Sequence, residues 1–337
     1  QPQVAKEFVA QLPFDLTPAQ KKSAHTILED LDNSKPMNRL LEGDVGSGKT
    51  LVALMACVMV ARAGQQSALM VPTEILARQH FNNSLDLLNS LGINTALLIS
   101  DMKKLDRTRV LEDLKAGKID CIIGTHALIS KDVEYKNLGL VVVDEQHRFG
   151  VNQRKELKAK AKKMPHLLTM TATPIPRSLA LVVYGDLDVS VIDELPKGRK
   201  PIQTKLVEDK DRVHVYAHID SLINQGQQVY VVCPMISESD KLGVKSVETE
   251  YKILQNSVFK HRRIGLVHGR LKSDEKASIM ASFKEGKIDM LVATSVIEVG
   301  VDVANATIML IEGADRFGLA ALHQLRGRVG RGNIQSH

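Results

Sequence analysis

The chain has 337 residues, 44% apolar and 25% charged, enough for two globular domains and unlike a disordered or fibrous composition. Its longest apolar run, residues 51–61, is too short to span a bilayer, and no basic-then-apolar leader follows Gln1. A formal charge of +6 with no Trp favours a polyanionic partner held through phosphates over one held by stacked bases.

Three scattered cysteines (Cys57, Cys121 and Cys233) have neither metal spacing nor an evident pairing, which suits a reducing cytoplasm. The absence of an initial Met leads us to expect a piece of a longer protein.

In chain order, the first informative stretch is Gly43-Asp44-Val45-Gly46-Ser47-Gly48-Lys49-Thr50. It follows the short apolar run Arg39-Leu40-Leu41 and leads into residues 51–61, the pattern of strand, glycine turn and helix. Gly43, Gly46 and Gly48 let backbone N–H groups curl around a phosphate chain, with Ser47 inside the turn. The helix presents its positive end to the same phosphates. Lys49 can reach the terminal phosphates and the Thr50 hydroxyl can hold Mg²⁺. A nucleoside triphosphate site is expected.

Beyond it, residues 66–72, 93–99, 119–124, 138–144 and 166–171 read as short buried strands, alternating with helical patterns at 74–91 and 105–116. That alternation predicts an α/β fold, a parallel sheet with helices on both faces. The strand at 138–144 delivers Asp144-Glu145 at its carboxyl end, where such sheets bind ligands. Asp144 would hold Mg²⁺ and Glu145 would orient and deprotonate water, which favours hydrolysis over transfer to another substrate.

Leu195-Pro196-Lys197-Gly198-Arg199-Lys200-Pro201 has the composition of a linker. We place a first domain at 1–195, the linker at 196–201 and a second domain at 202–337. The second domain repeats the alternation, with strands near 202–208, 227–233, 263–268, 288–293 and 306–311 and helices at 211–225 and 273–285. It ends in Gln324-Leu325-Arg326-Gly327-Arg328-Val329-Gly330-Arg331, with Arg328 and Arg331 three apart. An ATPase that closes two domains over its nucleotide needs a cation from the opposite side, and these arginines suit that role.

These motifs together resemble the motor core of superfamily-two helicases, two tandem RecA-like P-loop domains, and more narrowly the RecG family. The resemblance runs through Leu12-Pro13-Phe14-Asp15-Leu16-Thr17-Pro18-Ala19-Gln20, Pro72-Thr73-Glu74-Ile75-Leu76-Ala77-Arg78-Gln79-His80 and Gly124-Thr125-His126-Ala127-Leu128. It continues in Asp144-Glu145-Gln146-His147-Arg148-Phe149-Gly150-Val151, Thr171-Ala172-Thr173-Pro174, Ser295-Val296-Ile297-Glu298-Val299-Gly300-Val301-Asp302 and Arg316-Phe317-Gly318-Leu319.

By resemblance, Gln20 reads the adenine edge and Phe14 packs on the base, while Gly300, Asp302 and Gln324 face the nucleotide from the second domain. Gln146, His147, Thr171 and Thr173 resemble coupling residues. Thr73, Arg78, Thr125, His268, Thr294 and Ser295 resemble a strand-binding track. Where the family has Gly-Ser after the strand at 93–99, this chain has Ser100-Asp101, which puts that phosphate contact in doubt.

The resemblance implies ATP and Mg²⁺ as cofactors, a cytoplasmic monomer and forked or branched DNA as partner, with single-stranded-DNA-binding protein as a further one. It also implies a wedge domain upstream and a helical hairpin downstream, neither of which is within these residues. Three alternatives stay open at this point. One is a transcription–repair coupling translocase of the Mfd type, one is a protein-translocating motor, and one is a nucleotide-binding module without turnover.

Overall fold

A computed structural model describes residues 2–144, 160–161, 164–172, 187–194, 200–234, 241–294, 303, 305–330, 332 and 334–337. The chain divides into two compact units, Gln1–Pro196 and Lys197–His337.

The first unit is a seven-stranded sheet in the order β3-β4-β2-β5-β6-β1-β7. Its strands are β1 (Asn38–Gly43), β2 (Gln66–Met70), β3 (Thr95–Leu98), β4 (Cys121–Gly124), β5 (Leu138–Val143), β6 (His166–Thr171) and β7 (Asp188–Ile192). Neighbours pair in parallel throughout. β5 lies at the middle, and its run Leu-Gly-Leu-Val-Val-Val is buried at every position.

Because successive strand side chains point to opposite faces, Leu140 and Val142 enter one core while Val141 and Val143 enter the other. Each such side chain contributes roughly 1.5–3 kcal/mol by burial, which is why a short apolar run suffices to specify a central strand. The helices are α1 (Pro2–Ala10), α2 (Pro18–Asp32), α3 (Lys49–Arg62), α4 (Glu74–Ser90) and α5 (Lys104–Ala116).

The second unit is a four-stranded parallel sheet in the order β11-β8-β10-β9. It contains β8 (Gln228–Val232), β9 (Ile264–Val267), β10 (Met290–Ala293) and β11 (Ala306–Ile311). Its helices are α6 (Arg212–Asn224), α7 (Lys241–Ile253), α8 (Ser273–Lys284) and α9 (Leu319–Arg326). The strand expected near 202–208 is not formed. Ile202 packs on the core but Leu206 is 93% exposed, and the backbone bonds are Gln203 N–H to Ser336 O and Asp211 N–H to Glu208 O, both 2.9 Å, neither of them a strand pairing. An alternating apolar pattern needs a partner edge to become a strand, and this segment has none among the described residues.

Both units use the same device at the amino ends of their strands. Gln66 at the start of β2 donates from Nε2 to Leu114 O and Ile119 O, at 2.9 and 2.8 Å. Gln228 at the start of β8 donates to Phe283 O and Ile288 O, at 2.6 and 2.7 Å. Asp120 and Asp289 accept the N–H of Asn94 and Arg263 at 2.8 and 2.9 Å. The local sequences match: Gly64-Gln65-Gln66 with Gly226-Gln227-Gln228, and Gly117-Lys118-Ile119-Asp120 with Gly286-Lys287-Ile288-Asp289.

Candidate nucleotide-binding site

The phosphate loop joins β1 to α3 in the first unit. Gly46 and Gly48 have φ of 76° and 93°, the left-handed region where a side chain is strained. A Cβ on Gly48 would also collide with the Gln20 amide. α3 starts on Gly48 without a side-chain cap, so its first N–H groups remain directed into the loop. The helix is buried along most of its length, including Val52 to Val58, which fixes the loop against the sheet.

Lys49 Nζ donates to Gly43 O at 2.6 Å and Asp44 O at 2.9 Å, which folds the ammonium over the turn. Ser47 Oγ is buried without a hydrogen-bond partner inside the same turn. A glycine cradle, a lysine and an orphaned hydroxyl fit a phosphate chain. Thr50, next in the chain, is half-buried at the start of α3.

α2 brings Gln20 to this loop. Thr17 caps α2 and Gln20 completes a capping box, with Thr17 N–H donating to Gln20 Oε1 at 2.9 Å. Gln20 Nε2 donates to Ser47 O at 2.7 Å, and the residue is only 2% exposed. The amide therefore braces the phosphate loop from behind. Phe14, by contrast, is 55% exposed, a ring face open to a base.

Asp144 follows β5, and its N–H donates to Met70 O at 2.9 Å. β5 and β1 are separated in the sheet by β6 alone, so their carboxyl ends stand about 10 Å apart. Thr171, buried at the end of β6 and in register with Glu42 of β1, lies between the two ends. Asp144 and Thr50 are the residues that could hold a divalent ion across that gap. Asp144 Oδ2 also lies 3.2 Å from His80 Nε2, a contact that sequence reasoning did not foresee.

The polar residues of the expected strand track divide. Arg78 is on the surface, reaching Asp101 O at 3.5 Å, and Thr73 caps α4 by accepting Leu76 N–H at 3.3 Å. Thr125 is buried and accepts Ala127 N–H at 3.5 Å, and Thr294 is buried at the end of β10. His268 is also buried, its Nε2 3.9 Å from Glu248. The backbone amides of Ser100 and Asp101 both donate to Glu74 Oε1, at 3.0 and 3.2 Å, so a carboxylate of the chain itself takes this amide pair.

In the second unit, Gln324 is buried on α9, and Arg328 is half-buried with a buried Nε that has no hydrogen-bond partner. Elsewhere in this unit, Arg212 pairs with Glu312 after β11 and donates to Tyr216 Oη at 2.6 Å. Burial raises the Glu250 carboxyl pKa there, with the Glu312 charge adding to it. Glu145, Gln146, His147, Thr173, Ser295, Gly300, Asp302 and Arg331 lie outside the described residues.

Against known proteins, the DEAD/DEAH box helicase family matches residues 17–182 and the helicase conserved C-terminal domain matches residues 214–333. The ATP-dependent DNA helicase RecG of Thermotoga maritima is 52% identical over 99% of this chain and 43% of its own length. RecG of Bacillus subtilis is 51% identical over 98% of this chain and 48% of its length. The chain carries both helicase domains and is similar to RecG helicases over 99% of its length.

It spans a little under half the length of these curated relatives. A solved structure of RecG bound to a three-way DNA junction matches with a TM-score of 0.81 and 48% identity, over 98% of this chain and 43% of that one. Mss116p bound to single-stranded RNA and AMP-PNP, at 18% identity and a TM-score of 0.73, covers 100% of this chain and 71% of its own, and shares the fold. These likenesses favour the RecG reading of the motor over the transcription-coupled and protein-translocating alternatives.

Proposed function

We propose that the chain is an ATP-hydrolysing motor that moves on forked and branched DNA, the substrate class of its RecG relatives. The observation that carries this reading is the phosphate loop itself. Gly46 and Gly48 stand in left-handed backbone, Lys49 is folded over the turn, and Ser47 Oγ is left unpartnered inside it. Identity to RecG helicases across 99% of the chain supports the choice of DNA.

In this mechanism the loop amides and Lys49 bind the β- and γ-phosphates and neutralise their charge. Thr50 and Asp144 hold Mg²⁺, which supplies charge neutralisation at the phosphates. Glu145 orients the attacking water and takes its proton. Arg328 and Arg331 stabilise the transferring phosphoryl group, with Gln324, Gly300 and Asp302 lining the second unit's side. Phe14 packs on the base, while Gln20 holds the loop and meets the adenine edge only if its buried amide leaves Thr17 and Ser47.

Thr171, Thr173, Gln146 and His147 link the nucleotide to strand binding. Thr73, Arg78 and Ser295 contact the DNA backbone, and Thr73 and Arg78 are not buried. Thr125, His268 and Thr294 join them only if their loops rearrange, because their side chains are buried. We further propose a cytoplasmic monomer that recruits single-stranded-DNA-binding protein. Among the described residues, no helix is long and apolar enough to cross a membrane.

ATP turnover measured with forked, single-stranded and duplex DNA tests the reading. Stimulation by DNA, greatest with forks and weakening steeply with salt because the contacts are to phosphates, is the expected outcome. No stimulation by any DNA would remove it.

A further inference from the structure

The helix α4 ties two places that the proposed mechanism treats separately. At its start, Thr73 caps it, Glu74 receives the amides of Ser100 and Asp101, and Arg78 reaches Asp101 O. This is the edge assigned to DNA. In its second turn the opposite side of the helix presents His80, whose Nε2 lies 3.2 Å from Asp144 Oδ2. Both side chains are largely enclosed, at 16% and 14% exposure. Within the helix, the Ser84 hydroxyl donates back to His80 O at 2.7 Å.

We infer that His80 is a positioning residue for Asp144, fixing the orientation of its carboxylate at the metal position. The inference rests on the reading of Asp144 as the Mg²⁺ ligand.

The chemistry restricts what can do this. An ionised carboxylate only accepts hydrogen bonds, so the imidazole donates from Nε2, and the neutral ring suffices. An uncharged donor orients the carboxylate without opposing a divalent ion. A Lys or Arg in its place would set a full positive charge beside the metal position. Donors that orient ligating groups in this way are worth about 10- to 100-fold in metal affinity or activity when removed. Because His80 and Arg78 share one helix, a shift of the DNA-side turn also moves the donor at Asp144.

The experiment compares wild type, His80→Ala, His80→Gln and Asp144→Asn in the 337-residue protein. It measures steady-state ATP hydrolysis with forked DNA across a Mg²⁺ titration, binding of a fluorescent ATP analogue in EDTA, and thermal melting. His80→Ala should lower kcat by about 10-fold and raise the Mg²⁺ concentration for half-maximal rate by a similar factor. Analogue binding without metal should be unchanged.

His80→Gln keeps an N–H donor and should recover most of both parameters, which a purely packing role would not predict. Wild-type kcat and Mg²⁺ dependence in His80→Ala, with Asp144→Asn inactive, would overturn the inference and leave the metal site standing. So would a His80→Gln protein that melts like wild type yet is as impaired as His80→Ala. Wild-type turnover in Asp144→Asn would instead bring down the underlying assignment of Asp144.

Discussion

The amino ends of the strands are nearly interchangeable between the two units, side chains included, whereas at the carboxyl ends the backbone bonds and a buried Thr recur but the remaining side-chain chemistry differs. Gln66 and Gln228 each tie down the helix-to-strand turn beneath them with two bonds to backbone oxygens, and Asp120 and Asp289 each hold a neighbouring strand's N–H. At the other end, the first unit has a glycine loop and Asp144. The second has Thr294 where the first has Thr125, and Glu312, paired with Arg212, in place of Asp144. The shared end satisfies buried backbone groups, a need every such sheet has. The divergent end is the one at which open parallel sheets bind ligands. Stability and function are thus assigned to opposite edges of the same frame.

The comparison breaks if changes at the carboxyl ends act mainly on stability. The largest effect is expected for Lys49→Ala, which should reduce ATP turnover by about 10³-fold or more while shifting the urea midpoint little. Steady-state kinetics beside urea unfolding check this; loss of folding in place of loss of turnover would contradict it.

At the amino ends the pattern should reverse. Gln66→Ala leaves the carbonyl oxygens of Leu114 and Ile119 without this donor, and Gln228→Ala does the same to Phe283 and Ile288. Each should cost about 1–2 kcal/mol of its own unit's stability, since Ile119 O or Ile288 O loses its side-chain donor while Leu114 O and Phe283 O keep the N–H of Gly117 and Gly286. Turnover per folded molecule should stay near wild type. Very unequal losses from the two substitutions would show that the matched geometry is not matched in energy.

A smaller effect should appear with pH in the first unit. Met37 N–H donates to His166 Nδ1 at 3.0 Å, which requires an unprotonated nitrogen, and burial holds the imidazole pKa below its ordinary value. The folded state therefore binds this proton less readily than the unfolded chain. The stabilisation is fully present above about pH 6.5 and is lost as pH falls toward the depressed folded pKa. Urea midpoints followed from pH 7.5 to about 5 should fall more steeply in wild type than in His166→Gln. Parallel curves would remove His166 as the source.

What the sequence made legible follows the same division. β5 was readable because an unbroken apolar run has few alternatives to a central strand. The phosphate loop was readable because its chemistry fixes residue types at fixed spacing. β7, Asp-Val-Ser-Val-Ile, gives no comparable signal; it is a strand because β1 offers an edge about 150 residues away in the chain. The reverse error occurred at 202–208, where a strand-like pattern found no edge.

The burial of Thr125, His268 and Thr294 was not legible, since polar residues at strand ends look the same whether they face solvent or cap a turn. Nor was the pairing of His80 with Asp144, which depends on how α4 lies on the sheet. The matched Gly-Gln-Gln and Gly-Lys-Ile-Asp segments were in plain view, but a search for short periods does not compare stretches more than 160 residues apart.

The central claim is that hydrolysis on the first unit's phosphate loop depends on a cation supplied by the second. ATP turnover by Arg331→Ala with saturating forked DNA tests it most directly, read beside the affinity for a fluorescent ATP analogue. The account predicts a fall of about 10³-fold in kcat with analogue affinity nearly unchanged, because the arginine acts on the transferring phosphoryl group more than on the bound nucleotide. Hydrolysis at the wild-type rate would contradict it.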